Sequence, residues 1–196
     1  LYVNGICMSR GRTLTSTDFS DPFTPYSGLY REYGRYRFLD NNEDGVYDYV
    51  FVEVYIDYVV NGVDRNTYRV DDKIESTGYS FFLDPSYNDF CVSYKRSTGE
   101  ETNFMDIAKG DVISVRASKT DGKQIVWATI IIVKGSVTGV ITEIDRNNKK
   151  LTISDRVTYP YIEIDRLSQD YFLFHLGDKG SFYVNFLGIV IMKDVK

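Results

Sequence analysis

From Val46 to Tyr58 apolar side chains recur with a spacing of two, Val46, Val50, Val52, Val54, Ile56 and Tyr58 falling on one side with Asp48 as the only interruption. A two-residue period belongs to an extended strand with one buried face, because a helix repeats every 3.6 residues. The opposite side carries Tyr47, Tyr49, Phe51, Glu53, Tyr55 and Asp57, a mixture of rings and carboxylates that suits an antiparallel strand with one covered face. The strand is expected to bend and continue to Val60, with Asn61-Gly62 as the turn that ends it.

The same alternation, cut by Gly, Pro, Asp and Asn, runs through most of the chain. Residues 1–8 read as a strand. Residues 11–28 are rich in Ser, Thr and Asp, and Pro22 and Pro25 block both helix and central strand there. Extended structure resumes over 29–39, with Tyr30, Glu32, Gly34, Tyr36 and Phe38 on one face. TYRVDDKI, YSFFLD and DFCVSYK predict three short strands. ETNFMDIAKG is the best helical candidate, one turn capped by Thr102 and ended by Gly110. DVISVRASKTDGKQIVWATIIIV then predicts two strands about Asp121-Gly122, with Trp127 in the core.

From Lys134 the pattern restarts as GSVTGVITEID, KLTIS, YIEID after Pro160, GDKGSFYVN and IVIMKDV. Five short strands in so little chain match a small closed barrel, one means of removing exposed sheet edges. The expected fold class is therefore all-β, with two small antiparallel modules of barrel or sandwich type. Residues 1–133 form an N-terminal module with an acidic hairpin loop and an insertion, and residues 134–196 a five-stranded OB-like barrel. A weak internal repeat supports this division: Gly110-Asp111 resembles Gly177-Asp178, and VYID ending at Asp57 resembles ITEID ending at Asp145. The first copy then carries an insertion between Asn61 and Asp89.

The 196 residues are 43% hydrophobic and 15% aromatic, enough to bury a core. No apolar run approaches the roughly 18 to 20 residues that cross a bilayer, so membrane insertion is not expected. The opening LYVNGICMSRGR lacks the charged-then-apolar pattern of a signal peptide. The net charge of −5 is unevenly spread: from Phe38 to Asp64 there are carboxylates at 40, 43, 44, 48, 53, 57 and 64 and no Lys or Arg. Such a surface repels phosphate backbones and attracts cations, which argues against nucleic acid as a partner. Cys7 and Cys91 are too few for a disulfide scaffold, and two buried thiols are favoured over a pair.

Asp40, Asn42, Asp44, the Val46 carbonyl and Asp48, with Gly45 between, place oxygen ligands at the alternate spacing that wraps a hard cation. Calcium is the one cofactor this pattern suggests. A full EF-hand is excluded, because its twelfth position is Phe51 where a bidentate Glu is required. The competing explanation is a hairpin turn, since Asn and Asp bond to nearby backbone amides and Asp44-Gly45 is a strong turn signal. No catalytic residues are assigned: His175 is the only histidine, and no nucleophile elbow, paired zinc ligands or phosphate loop is present.

Tyr47, Tyr49, Phe51 and Tyr55 share the second face of the strand from Val46. Flat rings stack on sugars and anchor protein partners, so this face suits either a protein or a glycan. Burial by another layer of the fold is the alternative. The oligomeric state is not set by the sequence.

The succession DNNEDGVYDYVFV, DIAKGDVISVRASKTDGK, GSVTGVITEIDRNNKKLTI and LGDKGSFYV resembles β-rich regions of surface-layer-associated proteins from clostridium-like Gram-positive bacteria. The resemblance covers roughly residues 37–194 outside the divergent middle. It implies an extracellular, cell-surface location and a non-catalytic structural or interaction role, with no chemistry transferred residue by residue. Wall-binding repeats are not visible in these residues, and the apolar turn in FYVNFLGIVIM departs from the pattern. A carbohydrate-binding or adhesive module, or a glycan-hydrolase accessory domain, are the alternatives.

Overall fold

The computed structural model describes residues 2–3, 5–7, 34–73, 80–154, 156–162 and 173–195. The expected loop over 11–28, the Tyr30 and Glu32 positions and most of YIEID lie outside them. The protein is all-β, as the alternation requires, and the strands of the described residues fall into three sheets.

The first sheet contains β1 (Tyr2–Val3), β2 (Ile6–Cys7), β3 (Gly34–Leu39) and β4 (Tyr49–Val54) in the order β2-β1-β4-β3. Val50, Val52 and Val54 point to one side of β4 and are buried with Val3 and Tyr36 packed against them. Each fully buried side chain of this kind contributes roughly 1.5–3 kcal/mol.

The long strand foreseen from Val46 to Val60 is instead two strands in two sheets. β4 stops at Val54, and β5 (Ile56–Asp64) begins beyond Tyr55 and pairs with β10 (Val112–Asp121). Nor is Asn61-Gly62 a turn. The register slips between Val60 and Gly62, making a bulge, and β5 continues to a turn over residues 65–68.

The second sheet closes on itself. β5, β6 (Arg69–Asp72), β7 (Ser80–Phe82), β10 and β11 (Gln124–Val133) run β10-β5-β6-β7-β11, and β10 also pairs with β11. The β7–β11 pairing is parallel and the others in the ring are antiparallel. β8 (Cys91–Arg96) extends the sheet alongside β11, and β9 (Glu101–Thr102) follows. In the third sheet β12 (Val137–Asp145), β13 (Lys150–Ile153), β14 (Val157–Pro160), β15 (Lys179–Val184) and β16 (Val190–Val195) run β14-β13-β12-β15-β16. A parallel bridge from Tyr161 to Val190 closes that ring. Both rings follow the circuit of an OB-type Greek-key barrel, first strand to second to third to fifth to fourth and back.

The two barrels repeat each other in detail. Asp64 Oδ1 accepts from the amides of Asn66 and Thr67, as Asp145 Oδ1 accepts from those of Asn147 and Asn148. Both turns then pass through a left-handed residue, Tyr68 (φ 53°) and Lys149 (φ 49°). Gly110 N–H donates to the Val60 carbonyl at 2.8 Å and Gly177 N–H to that of Ile141 at 2.9 Å. Arg65 reaches the Ile107 carbonyl and Arg146 that of Phe174, and Ile107 and Phe174 are each buried in their barrel's core. The structure thus matches Gly110-Asp111 to Gly177-Asp178, but it matches Asp64, not Asp57, to Asp145.

Between the barrels, Val59 and Val112 pack with Tyr183, Ile189, Ile191 and Met192. Asp57 accepts from Ser114 Oγ (2.5 Å) and Asn185 Nδ2 (2.8 Å). Lys73 joins Asp194 and the Tyr183 hydroxyl. These polar groups satisfy one another where water is partly excluded.

Other expectations are corrected locally. The helical turn is a 3-10 turn, Phe104–Asp106, and its cap is Asn103, whose side chain accepts from the Met105 amide, while Thr102 belongs to β9. Trp127 is 48% exposed and not in the core, because bulges opposite it in β10 disturb the alternation. The third strand of the second barrel is Val157–Pro160, preceding Tyr161. Cys7 on β2 is partly buried and Cys91 on β8 is exposed, and the two are not joined.

Candidate binding face

The acidic loop folds on its own side chains. Asp40 Oδ2 accepts from the Gly45 amide (2.9 Å), Asp44 Oδ1 from the Val46 amide (2.8 Å), and Asp48 Oδ2 from the Asn41 amide (2.8 Å). Asn42 Nδ2 donates to Asp44 Oδ2 (2.9 Å). Gly45 takes φ 83°, a left-handed conformation that favours glycine. Among the described residues no group of three or more His, Cys, Asp or Glu is placed to hold a metal ion. Asp40 Oδ1 is buried without a hydrogen-bond partner.

The expected aromatic row is half assembled. Tyr49 and Phe51 lie on one face of β4, with ring centroids 6.2 Å apart. Tyr47 precedes the strand, is 61% exposed, and sets its ring 4.9 Å from Phe38, a residue of the opposite face. Tyr55 lies past the end of β4 and packs on Phe186 of the second barrel at 4.9 Å.

Neighbouring strands complete the row. Directly paired residues present their side chains to the same side of a sheet. Arg35, Arg37 and Leu39 of β3 pair with Glu53, Phe51 and Tyr49, and Tyr2 of β1 pairs with Phe51. Tyr2 stacks on Phe51 at 5.1 Å, and the Arg37 guanidinium lies 4.7 Å from the centre of the Phe51 ring. A guanidinium this close to a ring is attracted by the ring's negative face. Arg35, Arg37, Leu39 and Tyr49 are exposed.

The charges of this face are not balanced internally. Glu53 is engaged by Arg116 Nη1 at 2.8 Å. Among the described residues neither Arg35 nor Arg37 has an ion-pair partner. Sequence reasoning missed these two residues, although the same two-residue count that groups Tyr49 with Phe51 places Arg35 with Arg37. His175, the only histidine, is exposed on a loop of the second barrel beside Asp178 and Lys193.

Fold and face together define an all-β protein with two OB-type barrels and an aromatic–arginine sheet face. No family model matches the chain, and no curated protein sequence matches it.

Proposed function

We propose that this chain is a non-catalytic structural or interaction module of a bacterial cell-surface protein, with the aromatic–arginine face of the first sheet as its contact surface. The observation that supports it is the exposure of Tyr49, Leu39, Arg35 and Arg37 on one face. Aromatic and arginine side chains grouped in this way are the residue types that anchor partners. The cell-surface location rests on the sequence resemblance, and protease shaving of intact cells tests it: release of fragments from this chain is expected, and full protection contradicts it.

A second reading is a carbohydrate-binding or adhesive module, supported by the adjoining rings of Tyr2, Phe51 and Tyr49. A glycan array separates it from a purely structural role. Binding that disappears in Tyr49→Ala/Phe51→Ala with the melting temperature retained is the expected result, and an array without signal counts against it.

Calcium at the loop is supported by the orphaned Asp40 Oδ1. Millimolar calcium is then expected to raise the melting temperature, with the rise abolished in Asp40→Asn. An unchanged wild-type melting temperature contradicts it.

A further inference from the structure

The β3–β4 hairpin is divided electrically along its length. Its strand end carries Arg35 and Arg37, exposed and without ion-pair partners among the described residues, beside Glu53, whose charge Arg116 meets. Its tip carries Glu43, Asp44 and Asp48, also exposed, with Asp40 at the loop's base. No cation of the described residues meets these carboxylates either. Between the two ends sit Leu39 and Tyr49, directly paired, 38% and 40% exposed.

We infer that this hairpin face binds a second copy of the same chain about a two-fold axis near the Leu39–Tyr49 pair. The inference rests on the reading of this face as a contact surface. A two-fold contact requires a self-complementary patch, because whatever lies on one side of the axis meets what lies on the other. At about 3.4 Å per residue, Arg37 and Arg35 stand about 7 and 14 Å on one side of Leu39. The carboxylates of the loop occupy the other side. Turning one hairpin over onto another therefore brings each copy's arginines to the partner's acidic tip, twice in one contact. The same operation covers Tyr49, Leu39 and Phe51 at its centre, where aromatic anchors contribute most. An acidic peptide or an anionic glycan would satisfy the arginines but would leave the tip carboxylates uncompensated.

Sedimentation equilibrium of the full chain across concentration and salt tests this. The wild-type mass is expected to rise from that of one 22.6 kDa chain toward twice it, with weaker association as salt increases. Arg35→Glu/Arg37→Glu is expected to weaken self-association roughly tenfold or more, since like charges then meet at both ends. Glu43→Lys, at an exposed tip position with no hydrogen bond to lose, weakens it in the same direction. Mixing the two variants restores association. Circular dichroism melts establish that each variant is folded.

A wild type that stays a single chain at every concentration overturns the inference, as does association indifferent to salt and to both variants. If a monomeric wild type binds a glycan or peptide through this face, the second copy is excluded and the contact-surface reading stands. If it binds neither, both fall.

Discussion

Asp111 and Asp178 occupy the same position in the two barrels, each clasping the first strand of its barrel to the loop before the fourth. The Asp111 carbonyl accepts from Val60 N–H and the Asp178 carbonyl from Ile141 N–H, both at 2.9 Å. Their carboxylates turn back to the amides of Ala108 and His175, each at 2.8 Å. A lysine then caps each: Lys134 at 2.9 Å and Lys193 at 2.5 Å.

The two clasps differ in burial, and that difference sets the cost of breaking them. The Lys193 side chain is 5% exposed and that of Lys134 is 43% exposed. Asp178→Ala leaves a buried ammonium without its carboxylate and is expected to cost about 3 kcal/mol or more. Asp111→Ala leaves Lys134 able to reach water and is expected to cost about 1–2 kcal/mol. Urea denaturation of both variants checks the order.

Acid should release the tie from β8 to the 3-10 turn only late in the fall of pH. Hydrogen bonds from Arg96, supported by Lys134, hold the Asp106 carboxyl down at about 2, against an ordinary value of 3.8. A depressed folded-state value contributes stability that is fully present above about 3.8 and lost as pH falls through about 2. Arg96→Ala is expected to flatten the stability profile in that window, measured by denaturation at successive pH values.

Gly139 has no room for a side chain. It pairs with Gly180, and a Cβ there would collide with Ile153 Cγ2 and Ser154 Oγ. Gly139→Ala is expected to destabilise by roughly 1–3 kcal/mol, the range for overpacking. A thermal melt measures it.

Trp127 is the only tryptophan and is 48% exposed, with its indole N–H donated to the Asp89 carbonyl at 2.7 Å. Its emission is therefore expected to be that of a water-facing indole and to be quenched by acrylamide in the native state. Blue-shifted, unquenched emission would contradict the placement.

The sequence announces what local geometry decides. Val50, Val52 and Val54 identify β4 because a two-residue period with one buried face has one realisation. The two-barrel repeat is written in DRNTYR and DRNNKK, since Asp, Asn and a left-handed residue at fixed spacing specify the turn. VYID misleads because it shares with ITEID only apolar–acidic alternation, which any strand can carry. The break at Tyr55 leaves no local mark: alternation continues across it, and sheet membership depends on β5 pairing with β10, over fifty residues away. Arg35 and Arg37 become part of the face only once β3 is registered on β4. Trp127 turns outward because of bulges in its partner strand, which its own neighbours do not encode.

The central claim is that Tyr49, Phe51, Arg35 and Arg37 form the surface through which this chain makes contacts. One measurement addresses it most directly: self-association and glycan and peptide array binding of the wild type beside Tyr49→Ala/Phe51→Ala, with both proteins shown to be equally folded. The prediction is that whatever the wild type binds, its own copy included, the double variant binds at least tenfold more weakly. Undiminished binding by the double variant, or a wild type that binds nothing, would contradict the account.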